Sequence, residues 1–153
     1  MADIDRILNN LRRQCSRREY CTSDVLAKAL KSLGGDREAA DKVVAKLVEE
    51  KYVDDSRYAQ AYAREKSSIS GWGEVKIRYM LSAKGLSKDV ITEALAEIDE
   101  KKADSRLEKL LENKYRTLKE DPQWKIKLLR FALGRGYSYD QVNGFMAKLA
   151  LES

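Results

Sequence analysis

The stretch MLSAKGLSKDV, residues 80–90, decides the fold. Its apolar start, its glycine and the serine two positions later predict a helix end, a stop in a left-handed residue and the N-cap of a new helix. This pattern recurs at an offset of 51 residues in both directions, as ALKSLGGDREA and as ALGRGYSYDQV. The equivalent glycines and caps are Gly34 with Asp36, Gly85 with Ser87, and Gly136 with Ser138.

Apolar residues keep the same register when the chain is laid on itself at this offset. Each copy reads as three helices, which predicts an all-α protein of three tandem three-helix repeats, about nine helices in an elongated, curved body. The predicted repeats are residues 1–52, 53–101 and 102–153. The matching apolar positions include Leu26, Ile77 and Leu128, then Leu30, Leu81 and Ala132, then Ala40, Ile91 and Val142.

The composition fits a helical protein with many solvated faces. Hydrophobic residues make up 43% and charged residues 36%, with a single proline and no long apolar run, so we expect a cytoplasmic location. Residues 101–153 carry 12 Lys and Arg against 7 Asp and Glu, which accounts for the whole net charge of +5. A basic region of this kind meets a nucleic-acid backbone or an acidic protein surface, or is simply a solvated helix face.

The sequence shows no Gly-rich phosphate loop and no Ser or Cys nucleophile with a partner base. Histidine is absent, and the spacing of Cys15 and Cys21 favours reduced structural thiols over a metal site. GWGEV, residues 71–75, is too short and isolated for a nucleotide-binding loop. Asp54 and Asp55 stand at a predicted helix start, where N-capping is favoured over a metal or acid–base pair. We therefore predict a protein without catalytic activity, cofactor or metal.

Trp72 is the first candidate for partner contact, because it lies in a Gly-rich loop where a large ring is difficult to bury. Contact with a partner and filling of a gap between repeats remain equal alternatives. For Tyr62, four residues after Tyr58, core packing is favoured over partner contact. Lys84 and Arg135 precede the stop glycines, where a cation complements the helix C-terminus or lies on the rim of a repeat.

The most basic stretch with an aromatic residue lies in the third repeat and follows Trp124. Its cations are Lys125, Lys127, Arg130 and Arg135, and a second basic cluster, Arg12, Arg13, Arg17 and Arg18, lies near the other end. Asp121 before Pro122 predicts an N-cap with proline in the first helical position, and Ser138 with Gln141 predicts a capping box.

The segments YVDDSRYAQAYAREK (52–66) and GEVKIRYMLSAKGLS (73–87) resemble the RecX family, bacterial regulators of the RecA recombinase. SRREYCTSDVLAKAL (16–30) is similar to the start of that family. The residues that carry the resemblance are Asp54, Asp55, Arg57, Tyr58, Ala59, Tyr62, Arg64, Gly73, Ile77, Leu81 and Gly85.

The resemblance implies a binding module that lies in the groove of the RecA filament on single-stranded DNA. We expect it to be a monomer, because an array that coats a larger partner needs no self-association. Such a protein inhibits ATP hydrolysis, strand exchange and filament growth in recombination, DNA repair and the SOS response, and touches single-stranded DNA indirectly or weakly. The predicted partner-binding residues are Arg57, Tyr62, Arg64, Trp72, Lys76, Arg78, Lys84, Trp124, Lys127, Arg130 and Arg135, and the predicted helix caps are Asp54, Asp55, Ser87, Asp121 and Ser138.

Two other functions remain open. A second and third helix joined by a tight glycine turn is also typical of a helix-turn-helix that binds DNA directly. Against this alternative, residues 87–100 contain five acidic residues and one lysine, a poor match to a groove lined with phosphates. A helical scaffold for some other protein is the weakest alternative.

Overall fold

The computed structural model describes residues 3–152, and that range folds as nine α-helices without a strand. The all-α prediction is therefore confirmed. The predicted repeat boundaries and the curved shape stay predictions. The helices are α1 (Ile4–Arg17), α2 (Thr22–Ser32), α3 (Arg37–Glu49), α4 (Asp55–Ser68), α5 (Glu74–Ala83), α6 (Lys88–Ala96), α7 (Glu100–Leu118), α8 (Trp124–Gly134) and α9 (Tyr139–Glu152).

Every third helix begins just after a glycine in the left-handed region. The φ angles are 64° at Gly34, 81° at Gly85 and 96° at Gly136, values that residues with a Cβ adopt only under strain. The spacing of the helix–stop–helix pattern in the sequence thus corresponds to one backbone feature that occurs three times.

Side-chain caps begin several of the helices. Asp54 accepts a hydrogen bond from the Arg57 amide at 3.1 Å, and Ser87 Oγ accepts one from the Val90 amide at 3.2 Å. Ser138 forms a reciprocal capping box, in which its Oγ accepts from the Gln141 amide while Gln141 Oε1 accepts from the Ser138 amide. These bonds satisfy amides that have no partner within their own helix.

Asp55 differs from the sequence expectation, since it does not cap α4. It is the first residue of that helix, and its carboxylate accepts hydrogen bonds from the Thr22 amide at 2.8 Å and the Thr22 hydroxyl at 3.0 Å. Thr22 is the first residue of α2. Asp55 therefore supplies an acceptor to the N-terminus of a helix 33 residues earlier in the chain.

Asp121 was also predicted as an N-cap, and that prediction is wrong. Helix α8 begins at Trp124 with Gln123 in the N-cap position. An extra turn separates Asp121 and Pro122 from the helix, so the Asp121 carboxylate binds the Gln123 amide at 2.8 Å within that turn.

The described residues form two compact units. The first contains residues 3–61 and 81–91, and the second contains residues 62–80 and 92–152. The division passes through α4, α5 and α6, so the middle set of three helices contributes to both units. The first unit buries a core that includes Leu11, Val25, Val43 and Leu47.

The second unit has a core of its own, which includes Leu107, Leu111, Leu128 and Val142 from α7, α8 and α9. Each of these side chains is fully buried, so the three last helices are held together mainly by apolar burial.

In the first unit, α2 is bonded to the turn between α5 and α6, a contact that we call the first junction. Ser23 Oγ donates to the Lys84 carbonyl oxygen at 2.7 Å, and Lys84 Nζ pairs with Asp24 at 2.7 Å. Burial opposes ionisation of Asp24, but hydrogen bonds from Lys84 and Cys21 outweigh it, so the pKa of Asp24 is lowered. The pKa of Lys84 is raised by the same bond.

Candidate functional site

The candidate site is built around a second junction, where the start of α5 meets the turn between α8 and α9. The Gly73 amide donates to the Arg135 carbonyl oxygen at 2.7 Å, and the Val75 amide donates to the Gly136 carbonyl oxygen at 2.9 Å. These amides belong to the first turn of α5 or precede it, so they have no acceptor within the helix. The turn before α9 thus supplies acceptors to the N-terminus of α5.

The two chains of this junction approach so closely that both contact positions require glycine. A Cβ on Gly73 would lie 2.4 Å from the Gly136 carbonyl oxygen, and a Cβ on Gly136 would lie 2.3 Å from Lys76 Cβ. Atoms of folded proteins do not approach to these distances, so a larger residue would separate the two chains.

Tyr137 fixes the loop before α5 from the other side. Its side chain is buried, and its hydroxyl donates to the Gly71 carbonyl oxygen at 2.9 Å. Burial raises the pKa of Tyr137, so the hydroxyl keeps its proton and remains a donor at neutral pH. The loop that carries Trp72 is therefore held by hydrogen bonds at both ends.

Trp72 lies half-buried among two lysines and a tyrosine, and we call Tyr62, Lys66, Trp72 and Lys76 the Trp72 cluster. Lys76 Nζ lies 4.2 Å and Lys66 Nζ lies 4.9 Å from the centre of the indole ring. Tyr62 meets the indole edge-on with ring centres 6.4 Å apart. Each cation–π contact contributes about 0.5–1 kcal/mol at a partly exposed position.

Arg135 joins this arrangement through the second junction, because its carbonyl oxygen accepts from the Gly73 amide. Its guanidinium lies 5.2 Å from the centre of the Phe131 ring, and Lys114 Nζ lies 5.1 Å from the same ring. The structure thus brings four predicted residues, Tyr62, Trp72, Lys76 and Arg135, to one junction. It adds Lys66, Lys114 and Phe131, which sequence reasoning missed.

Lys66 could have been placed next to Tyr62 from the sequence, since it follows Tyr62 by four residues and therefore lies on the same helix face. Lys114 and Phe131 could not have been placed together in this way, because they meet only when α7 packs against α8.

The other predicted residues of the second unit lie in separate contacts. Trp124 meets Tyr115 edge-on, with ring centres 5.0 Å apart. Lys127 forms an ion pair with Asp121, and this bond lowers the pKa of Asp121. Arg78 donates a long bond of 3.4 Å to Thr92 Oγ1.

Arg64 and Arg130 are exposed, and neither guanidinium forms an ion pair within the part of the chain that the structure describes. Their charges are therefore available to a partner without the loss of an internal bond. The sequence offered no means of separating them from arginines that are already paired.

Arg57 and Lys84, in the first unit, already have internal partners. Arg57 pairs with Glu19, which raises the pKa of the arginine, and its Nη2 donates to the carbonyl oxygens of Lys51 and Tyr52 at 3.2 Å. The partner of Arg57 lies 38 residues earlier in the chain, beyond the range of helix spacing patterns.

The Trp72 cluster and Arg135 combine cations with partly buried aromatic rings. Side chains of this kind bind carboxylates or phosphates. No group of three or more Cys, Asp or Glu side chains within residues 3–152 is arranged to hold a metal ion. Over the same described residues, no helix has both the length and the apolar character of a membrane span.

Comparison with known proteins identifies the repeats. The family model described as RecX, second three-helix domain, matches residues 54–95, and the model described as RecX, third three-helix domain, matches residues 103–146. Together the two matches cover more than half of the chain.

Curated relatives agree with the domain matches. The chain is 33% identical over 136 residues to the regulatory protein RecX of Clostridium tetani and 32% identical over 134 residues to that of Clostridium perfringens strain SM101. These alignments cover 86% and 85% of this chain. A third, with RecX of Clostridium botulinum strain Alaska E43, shows 40% identity over 111 residues and covers 70% of this chain. The chain spans 62%, 62% and 51% of the length of these relatives.

Solved structures share the fold. The crystal structure of RecX from Lactobacillus salivarius matches with a TM-score of 0.84 at 24% identity and covers 97% of both chains. A crystal structure of a regulatory protein RecX matches with the same TM-score at 21% identity, over 94% of this chain and 71% of that one. The tandem three-helix architecture predicted from the offset of 51 residues is confirmed, and the chain belongs to the RecX family.

Proposed function

We propose that this chain binds the RecA filament on single-stranded DNA and inhibits its ATP hydrolysis, strand exchange and growth. The observation that carries the proposal is the match of residues 54–95 and 103–146 to the second and third RecX domains. Regulation by binding requires no catalytic residues of its own, which agrees with the absence of histidine from the sequence.

The geometry around the second junction supports a binding role. Hydrogen bonds to the turn before α9 hold the backbone on both sides of Trp72, since the Gly73 and Val75 amides donate to that turn and the Gly71 carbonyl oxygen accepts from Tyr137. The loop therefore meets a partner with little loss of backbone freedom. Aromatic residues and arginines are over-represented among the residues that dominate binding energy. We therefore place the main partner contact at the Trp72 cluster and Arg135.

The other proposed contact residues differ in whether their cations already form an ion pair within the chain. Arg64 and Arg130 can pair with filament carboxylates or reach phosphates directly. Arg57, Lys84 and Lys127 can do so only by exchanging an internal ion pair for an external one, which reduces their net contribution. Arg78, Tyr62 and Trp124 complete the proposed surface.

The proposed mechanism is steric and conformational. Bound repeats hold neighbouring filament subunits in one relative orientation, and the same contact obstructs ATP turnover and entry of a second duplex. Because cations carry the contact, binding weakens as salt concentration rises. We expect the chain to act as a cytoplasmic monomer without a cofactor, since coating a larger partner requires no self-association.

The test is RecA ATP hydrolysis on single-stranded DNA, titrated with this protein at two salt concentrations. We expect inhibition well below one protein per recombinase. The double variant Arg64→Gln with Arg130→Gln is expected to need about tenfold more protein, equivalent to about 1.4 kcal/mol. Its matched control is Lys31→Gln with Lys46→Gln, which removes the same charge from two exposed lysines without an ion pair outside the proposed surface.

Binding to labelled single-stranded DNA, measured by fluorescence anisotropy without recombinase, separates the alternatives. Tight binding to naked DNA at physiological salt, with no effect on a coated filament, would favour the helix-turn-helix alternative. Absence of both effects up to equimolar protein would contradict the proposal and leave a scaffold role.

A further inference from the structure

The second unit contains a cleft of about 370 Å³ beside the second junction. Trp72 and Tyr137 form one wall, and Leu95 with Ile98 forms an apolar wall from α6 and the turn after it. The volume lies at the lower end of the range for ligand pockets, so it suits one or two side chains of a partner better than a large cofactor.

The polar rim of this cleft is acidic. Glu74, Glu100 and Asp104 line it, and none of the three forms an ion pair within the described part of the chain. Arg106 is a cation at this wall: its Nη2 donates to the hydroxyl of Ser67, a lining residue, at 2.9 Å, and its buried Nε has no hydrogen-bond partner among the described residues. Three carboxylates against this one guanidinium leave the rim with a net negative charge, which attracts a further cation.

The apolar walls and the carboxylate rim of the cleft are complementary to a long basic side chain. The methylene stem of lysine or arginine packs against apolar surface while its charged head reaches carboxylates. Nucleic-acid phosphates, in contrast, are repelled by the rim, so the guest of this cleft is protein.

We infer that this cleft receives a lysine or arginine side chain from the bound protein partner, an inference that rests on the proposed function. Trp72 then stands between two surfaces of opposite preference: Lys66 and Lys76 attract acidic groups, and the cleft attracts a basic one. A partner has to present both charges at the right spacing, which excludes uniformly acidic surfaces and bare nucleic acid.

Charge reversal at the rim tests the inference. Glu100→Lys with Asp104→Lys is compared with Glu93→Lys and Glu97→Lys, exposed residues of α6 and of the turn after it that do not line the cleft. Both double variants add the same positive charge, so any gain in general attraction to DNA is shared. We expect the cleft variant to require at least about tenfold more protein for half-inhibition of the RecA ATPase, and the control pair to change this value by less than about twofold.

Glu100→Gln with Asp104→Asn, which removes the charge without adding a new one, is expected to weaken inhibition by a smaller factor. Helical circular dichroism of each variant checks that the fold is retained. Equal inhibition by the cleft variant and the control pair would overturn the inference while leaving the proposed function intact.

A second measurement makes the inference independent of the recombinase. N-acetyl-arginine amide at millimolar concentration is expected to shift the NMR resonances of Trp72, Ile98 and Tyr137 in the wild-type protein but not in the Glu100→Lys, Asp104→Lys variant. If wild-type protein fails to inhibit RecA yet binds this probe in the cleft, the proposed partner is wrong, but the inference that the cleft binds a basic side chain is retained. Unmoved cleft resonances would overturn the inference.

Discussion

At the first junction, side chains of α2 reach the turn after α5: Ser23 donates to the Lys84 carbonyl oxygen, and Asp24 pairs with the Lys84 ammonium. At the second junction, 51 residues further along, backbone amides at the start of α5 reach the turn after α8. The two turns are equivalent in the repeat, since Lys84 aligns with Arg135. The same structural task is therefore performed by polar side chains in one unit and by close backbone contact in the other.

The stop glycines show what this difference requires. A Cβ on Gly85 would meet no atom within 4 Å, whereas a Cβ on Gly136 would overlap Lys76. At the first junction, the side chains of Ser23, Asp24 and Lys84 bridge a gap between the two segments. At the second junction, the two backbones are in direct contact and leave no such gap. Close contact at the second junction also holds the Trp72 loop, which places an aromatic ring with two cations at the surface. The first junction only connects helices, whereas the second junction also carries the candidate binding site.

The largest expected effect comes from replacing the two glycines. Both Gly85→Ala and Gly136→Ala place alanine at positive φ, which costs about 1–2 kcal/mol. Gly136→Ala adds overlap with Lys76, and overpacking of this kind costs about a further 1–3 kcal/mol. Urea denaturation of each variant measures the free energy of unfolding. Equal losses for the two variants would contradict the closer packing of the second junction.

A smaller difference is expected from the hydroxyl groups of the two junctions. Tyr137→Phe leaves the Gly71 carbonyl oxygen without its partner in a partly buried place, with an expected loss of about 1–2 kcal/mol. Ser23→Ala removes a bond at an exposed position, where water replaces the donor, and we expect at most about 0.5–1 kcal/mol. Thermal unfolding followed by circular dichroism compares the pair. A greater loss for Ser23→Ala would reverse the ranking.

The smallest expected effect is electrostatic and concerns the first junction alone. Because the pKa of Asp24 lies below its usual value of 3.8, its contribution to stability is complete above that pH and disappears as pH falls through the lowered value. Lys84→Met removes the principal donor while burial remains, so the pKa of Asp24 rises. Carbon-13 NMR titration of the Asp24 carboxyl measures this change, with Lys28→Met as the control for loss of a lysine. An unchanged pKa would show that the ion pair is not formed in solution.

Local features of this chain could be predicted from its sequence, because local rules govern them. The left-handed backbone at Gly85 and Gly136 and the caps formed by Ser87 and Ser138 are each determined within one turn of their own position. The offset of 51 residues carried the same signal three times. Core packing was favoured for Tyr62 from its position four residues after Tyr58, and the structure buries Tyr58 and, in part, Tyr62. The exceptions are Asp55 and Asp121. The carboxylate of Asp55 accepts from the Thr22 amide, and that of Asp121 accepts from the Gln123 amide, so neither caps the helix that was expected.

The candidate site was less predictable because its contacts join distant segments. Arg57 meets Glu19 across 38 residues, and Lys84 meets Asp24 across 60 residues. Nothing in the spacing of these residues distinguishes a paired cation from an unpaired one. The acidic cleft was missed for a related reason. Glu74 precedes Glu100 and Asp104 by about half a repeat, and each of the three reads alone as an ordinary charge in the first turns of a helix.

Each junction joins the second helix of one repeat to the turn of the next, so a 51-residue segment holds two unlike half-junctions and completes neither by itself. Duplicating the middle segment would place the start of α5 against a second copy of the turn after α5, a turn that in this chain binds side chains of α2 and not backbone amides. Because the two junctions are unlike, the new junction would be mismatched. The repeats are therefore alike in pattern, but none of them can be copied or exchanged without further changes at its junctions.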